Sequence, residues 1–145
     1  GLHHKAGNSP ERIVEIHGTI REVVCMACDD RGPMEPTLDR VRAGEEDPEC
    51  NKCGGILKSA TISFGQGLVS EDLERSEQAA LHCDLAIAVG STLSVYPIAN
   101  VIPVAKNAGA RVIIMNGGPT EMDSLEDVLL TGSISDLLPK LVSQP

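Results

Sequence analysis

Aromatic side chains are nearly absent from this chain: one Phe, one Tyr and no Trp among 145 residues. Any core must then be built from Val, Ile, Leu and Ala, the makeup of buried parallel sheets. The same shortage removes the stacking platforms that hold single-stranded nucleic acids. Cationic side chains are also scarce, with 12 Lys and Arg against 21 Asp and Glu, a formal charge of −9. An acidic surface repels phosphate backbones, so no direct nucleic-acid binding is expected. The charge suits a cationic partner, and it equally suits an ordinary surface kept soluble by repulsion. No run of 18 apolar residues occurs, so no helical membrane span is expected. The G-x-G-x-x-G dinucleotide fingerprint is missing as well. Five cysteines without a recognisable secretory signal fit a reducing compartment, and the expected location is cytoplasmic.

Four of those cysteines form two Cys-x-x-Cys pairs, Cys25/Cys28 and Cys50/Cys53, separated by residues 29–49. Two such pairs can close a tetrahedron of thiolates around Zn²⁺, leaving no open position for chemistry. The spacing lies just past the usual zinc-ribbon window. Residues 29–49 are dense in Asp, Glu, Gly and Pro and show no apolar periodicity, so they are expected to fold only around the metal knuckles. Cys83 reads as a small core residue.

Elsewhere the pattern alternates strand and helix. Arg12–Ile16 reads as a short strand ending in His17-Gly18, and Ala60–Phe64 as another ending in Gly65-Gln66-Gly67. Ser70 caps a helix, with Glu71 and Asp72 in its first turn, that runs to about His82. Leu85–Val89 is a continuous apolar run, as in a strand buried on both faces, broken by Gly90-Ser91-Thr92. Pro97 opens a second helix, which Pro103 shortens or kinks and Gly109 ends. Arg111–Met115 is the next strand, Asp127–Leu130 a weaker one, and Ile134–Val142 a closing helix. The expected fold is α/β: an open parallel Rossmann-like sheet, 1–21 and 59–145, carrying a zinc-ribbon insert over 22–58.

Ligands of such sheets bind beyond the carboxyl ends of the strands. The residues expected there are His17-Gly18, Phe64-Gly65, Gly90-Ser91-Thr92, Asn116-Gly117 and Gly132-Ser133. An imidazole can take a proton from a hydroxyl near neutral pH. Position alone leaves His17 between that role and a structural one. Gly90-Ser91-Thr92 can cradle a phosphate or ribose, or be an ordinary strand-to-helix turn. Asn116 can hold a ribose hydroxyl or serve as a turn residue.

Taken together, these residues resemble the sirtuins, the NAD-dependent protein-lysine deacylase family. The similarity is collinear over nearly the whole chain: GLHHKAGN, IVEIHG, the two cysteine pairs with CNKCGGILK, ISFGQGL, AVGSTLSVYPIAN and VIIMNGGPTEMD. The resemblance implies NAD and zinc as cofactors and an acylated-lysine protein or peptide as substrate. It implies His17 as the catalytic base acting on a ribose hydroxyl. It implies that Gly90, Ser91, Thr92, Asn116 and Ile134 contact NAD, and that Phe64 and Gly65 line the peptide cleft. It also implies that water finally yields free lysine and O-acyl-ADP-ribose.

Several positions depart from the family pattern. Gln66 stands where Glu is usual and Ser59-Ala60 where Arg-Pro is common. Ser91-Thr92 reverses the usual order, and Gly-Gly follows Asn116. The family's Gly-Ala-Gly-x-Ser turn and Gln-Asn-x-Asp segment are not among these residues, so the chain resembles the C-terminal part of a sirtuin and is expected to be inactive by itself. Two alternatives accompany this reading: a non-catalytic zinc-ribbon module that binds nucleotide or peptide, and a protein ADP-ribosyltransferase.

Overall fold

The computed structural model describes residues 1–142. The chain divides into two compact units, Gly1–Asp72 and Leu73–Pro145.

In the first unit a short helix, α1 (Leu2–Lys5), and a 3₁₀ turn, Pro10–Arg12, precede an antiparallel sheet. Its strands are β1 (Gly18–Cys25), β2 (Arg31–Pro33) and β3 (Leu57–Thr61), in the order β2-β1-β3. Two expectations are corrected here. Residues 13–15 carry no regular structure, with Ile13 extended, and Ile16-His17 is a turn, closed by the Gly18 N–H donating to the Glu15 carbonyl at 2.7 Å. His17 therefore sits at the entrance of a strand, not at the carboxyl end of one. Apolar alternation reads the same in extended coil as in a ladder, and only a paired neighbour makes a strand. The expected strand Ala60–Phe64 is likewise displaced to Leu57–Thr61, because pairing of Cys25 with Leu57 and Val24 with Lys58 sets its register.

Gly18 is required where it stands. Its φ is +72°, and an added Cβ would lie 2.1 Å from the Ala60 carbonyl oxygen on the paired strand. Gly18→Ala is expected to cost about 3 kcal/mol or more, because backbone clash and left-handed strain act together, and a urea unfolding midpoint measures it.

The segment between the cysteine pairs is not irregular throughout. It contains α2 (Met34–Arg42), which lies against β1. Met34, Leu38 and Val41 recur at helical spacing, and Pro36 falls in the first turn, where proline is tolerated. The dense charges are placed for the helix. Arg42 bonds Glu35 at 2.6 Å and Asp39 at 2.7 Å, and Arg40 bonds Glu45.

The second unit holds the parallel sheet: β4 (Leu85–Val89), β5 (Arg111–Asn116) and β6 (Val128–Thr131), in the order β4-β5-β6. α3 (Ser70–His82) leads into it, with the expected bounds. A 3₁₀ turn, Ile98–Asn100, and α4 (Val101–Asn107) follow β4. Pro103 falls in the first turn of α4, and Gly109 lies just past its end with φ +99°. α5 (Ile134–Val142) closes the described chain. Val112 and Ile114 are fully buried and pack with Ala88, Leu93, Ile102 and Met122. Cys83 packs at a smaller alanine cluster, as expected of a core thiol.

β4 is not buried on both faces. Ala86 and Ala88 face the core, whereas Leu85, Ile87 and Val89 are 43, 49 and 39% exposed. Alternation along a strand sends successive side chains to opposite faces, and in this unit only one face of β4 is covered.

Lys106 and the Val112 N–H bond the Asp127 carboxylate at 2.8 and 2.7 Å, which ties α4 to the start of β6. Lys106 first, then the backbone donor, holds this carboxyl below its ordinary 3.8. A depressed carboxylate stabilises the fold above the unfolded pKa and loses that contribution as pH falls through the folded one. Asp127→Asn is therefore expected to lower stability at pH 7. It should also flatten the loss of stability below about pH 4, which thermal melts at stepped pH would show.

Candidate functional site

In the first unit the four cysteine sulfurs lie within 4.8 Å of one another. Cys25 Sγ is 3.6 Å from Cys53 Sγ, and Cys28 Sγ 3.8 Å from Cys50 Sγ. Sulfurs at about 2.3 Å from a tetrahedral zinc stand about 3.8 Å apart, so the cluster fits Zn²⁺. The knuckles are built for it. The Cys25 carbonyl accepts the Asp29 N–H and the Cys50 carbonyl the Gly54 N–H. The Ala27 N–H points at Cys25 Sγ at 3.4 Å. At Gly55 an added Cβ would meet Cys25 Sγ at 2.9 Å and Cys53 Sγ at 3.2 Å, so a side chain there would press on the sulfurs. The thiols are driven apart electrostatically. The Ala27 N–H foremost brings Cys25 down to about 7. At Cys28 the Asp30 N–H pulls down, but the neighbouring thiols and desolvation prevail and push it up to about 12. Four thiols this close ionise together only around a cation.

His17 is joined to the peptide-lining candidates through the backbone. Its carbonyl accepts the Ile62 N–H at 2.8 Å, and Ser63-Phe64-Gly65-Gln66 follows directly as a turn. The imidazole is exposed and makes no hydrogen bond among the described residues. Phe64 is 98% exposed, at the tip of the turn. A cleft of about 440 Å³ in this unit is lined in part by Gly18, Lys58, Thr61, Ile62 and Gln66.

In the second unit the carboxyl ends of β4, β5 and β6 bring the other candidates to one sheet edge. The Gly90 N–H donates to the Met115 carbonyl at 2.9 Å, and the Gly132 N–H to the Asn116 carbonyl at 3.1 Å. Gly90 has φ +65°, and an added Cβ would stand 3.0 Å from Ile134 Cδ1, so Ile134 packs directly on its Cα. Ser91 Oγ accepts the Leu93 N–H at 3.1 Å, and the Thr92 and Ser94 hydroxyls bond each other at 2.7 Å. The Asn116 amide donates to the Gly118 carbonyl at 3.0 Å. Gly90, Asn116 and Ile134 thus converge, with a hydroxyl-bearing turn leaving from Gly90.

Sequence reasoning missed the residue that shapes that turn. Leu93 has φ +55° while its side chain is buried in the sheet core, so packing holds the backbone in a conformation a leucine rarely adopts. The one local signal was an apolar residue between hydroxyls. Also missed was Lys58, together with the bonds that it and Gln66 make around the Phe64 turn.

A four-cysteine ribbon in one unit, with a parallel sheet whose strand ends gather small and hydroxyl-bearing residues in the other, defines an α/β protein carrying a zinc-ribbon-like module. Comparison with known proteins narrows it. A profile described as "Sir2 family" matches residues 1–97. The chain is 42% identical over 142 residues to NAD-dependent protein deacetylase 2 of Streptomyces coelicolor, covering 98% of this chain and 59% of that protein. It is 36% identical over 144 residues to NAD-dependent protein deacylase 2 of Archaeoglobus fulgidus, covering 99% of this chain and 56% of that one. A solved structure reported on the mechanism and regulation of Sir2 enzymes superposes with a TM-score of 0.86 at 37% identity, over 97% of this chain and 56% of that one. Sir2Af2 bound to a myristoylated histone peptide gives 0.85 at 37% identity, over 97% and 59%. The chain belongs to the Sir2, or sirtuin, family. It spans less than three fifths of the length of these relatives.

No described helix is long and apolar enough to cross a membrane.

Proposed function

We propose that this chain serves the NAD-dependent removal of acyl groups from protein lysines, giving nicotinamide and O-acyl-ADP-ribose. The substrate is an acylated-lysine protein or peptide, NAD is the cosubstrate, and zinc is a structural metal. Residues 22–58 form the zinc ribbon; 1–21 and 59–145 are the nucleotide-binding part.

The observation that carries this reading is the backbone bond between His17 and Ile62, which sets an exposed imidazole beside the turn bearing Phe64. His17 takes a proton from a ribose hydroxyl, as an imidazole can at neutral pH. Phe64 and Gly65 line the acyl-lysine peptide. Gly90 lets the dinucleotide approach the backbone, Ser91 and Thr92 offer hydroxyls, Asn116 holds a ribose, and Ile134 forms an apolar wall. The names of the relatives support the reaction, and neighbouring structures carry acylated peptides. Four thiols reserved for metal fit a reducing cytoplasm, which we propose as the location.

The test is a product analysis of the complete protein with NAD and an acetyl-lysine peptide. We expect the peptide to lose its acyl group while nicotinamide and O-acyl-ADP-ribose appear in equal amounts. A peptide or protein that gains ADP-ribose instead would assign a transferase. NAD or peptide binding without products would assign a binding module.

A further inference from the structure

We propose that Lys58 and Gln66 are positioning residues that hold Phe64 ready to receive the acyl-lysine peptide. The inference rests on the reading of Phe64–Gly65 as peptide-lining and identifies what sets that lining in place.

Ser63–Gln66 is a tight turn with Gly65 at φ +88°, the third position that a type II turn gives to glycine. Gln66 closes it twice. Its N–H donates to the Ser63 carbonyl at 3.0 Å, and its Oε1 accepts the Ser63 N–H at 2.8 Å. Lys58 reaches from β3 and adds two bonds. Its Nζ donates to the Thr61 carbonyl at 2.5 Å and to Gln66 Oε1 at 3.3 Å. Between these two contacts lies Ile62, whose N–H is held by the His17 carbonyl. The brace therefore fixes the turn relative to the residue assigned as base.

Phe64, the single Phe of the chain, is 98% exposed at the second position of this turn. An apolar side chain so exposed gains nothing from the fold around it. A braced backbone lets it bind a partner without first ordering a loop, which lowers the cost of association. The chemistry asks for an acceptor at position 66, not for a charge. Glu would accept the same Ser63 N–H and pair with Lys58, whereas Leu would do neither.

The test is steady-state kinetics of the complete protein with an acetyl-lysine peptide at saturating NAD, alongside amide hydrogen exchange at Ser63. Lys58→Met and Gln66→Leu are each expected to raise KM for the peptide about fivefold, with kcat within about twofold and KM for NAD unchanged. Both should speed exchange at Ser63, and Gln66→Glu should restore both readouts. Unchanged peptide KM with faster exchange would overturn the inference. So would unchanged exchange, or a loss of kcat and of NAD affinity together, which marks general destabilisation. A wild-type protein without deacylation would overturn the functional reading itself, an outcome distinct from an active wild type with indifferent variants.

Discussion

Stripping the metal is expected to unfold the antiparallel unit while leaving the parallel sheet folded. The first unit has little else to hold it. Its buried apolar residues are Val23, Ala60 and two of the cysteines themselves, Cys25 and Cys50. β2 has three residues, and α2 keeps Leu38 and Val41 substantially exposed. Structural zinc in small peptides contributes about 10–16 kcal/mol of apparent binding free energy at neutral pH, far above what so small a core supplies. The parallel unit has its own core, with Val112, Ile114 and Met115 fully buried. Chelation, or Cys25→Ser, should therefore abolish amide protection in β1 and β3 and spare β4 and β5. Elemental analysis should find about one zinc per chain before treatment. A metal-free preparation retaining protected β1 and β3 amides would contradict this account.

His17→Ala is expected to lower deacylation by about 10²–10⁴-fold without loss of stability. The fold uses the backbone of this residue, through the Ile62 N–H, and not its imidazole. An exposed ring without hydrogen bonds supports nothing structural, so its removal should leave the melting temperature unchanged. Turnover and thermal melts of the same sample separate the two effects. Full-rate deacylation by the variant would remove His17 from the mechanism.

Some elements were legible because their signals are local. Two Cys-x-x-Cys pairs announce a ligand set in their own spacing, and the sulfurs do converge. The apolar runs at 85–89 and 111–115, with helices between and after, gave the parallel sheet and its edge. α2 was hidden because charge dominates its composition, although its apolar spacing was present. The placement of β3 and of His17 was missed because register comes from a partner strand. A slip of three residues made Phe64 read as a strand end, whereas it lies in a turn three residues beyond Thr61, the last residue of β3.

By itself the sequence determined the four-cysteine set, the α/β class, the helices and strands of the parallel sheet, and the family. Each depends on residue type and spacing along the chain, which no folding is needed to reveal. Only tertiary structure decided which backbone groups meet. It joined His17 to Ile62, drew Lys58 around the Phe64 turn, seated Ile134 on Gly90 and held Leu93 in a left-handed conformation. The first and third of these contacts link residues far apart in sequence, the second depends on how the turn after β3 folds back, and the last is a conformation that the core enforces. Their energies come from packing and pairing that no local pattern encodes.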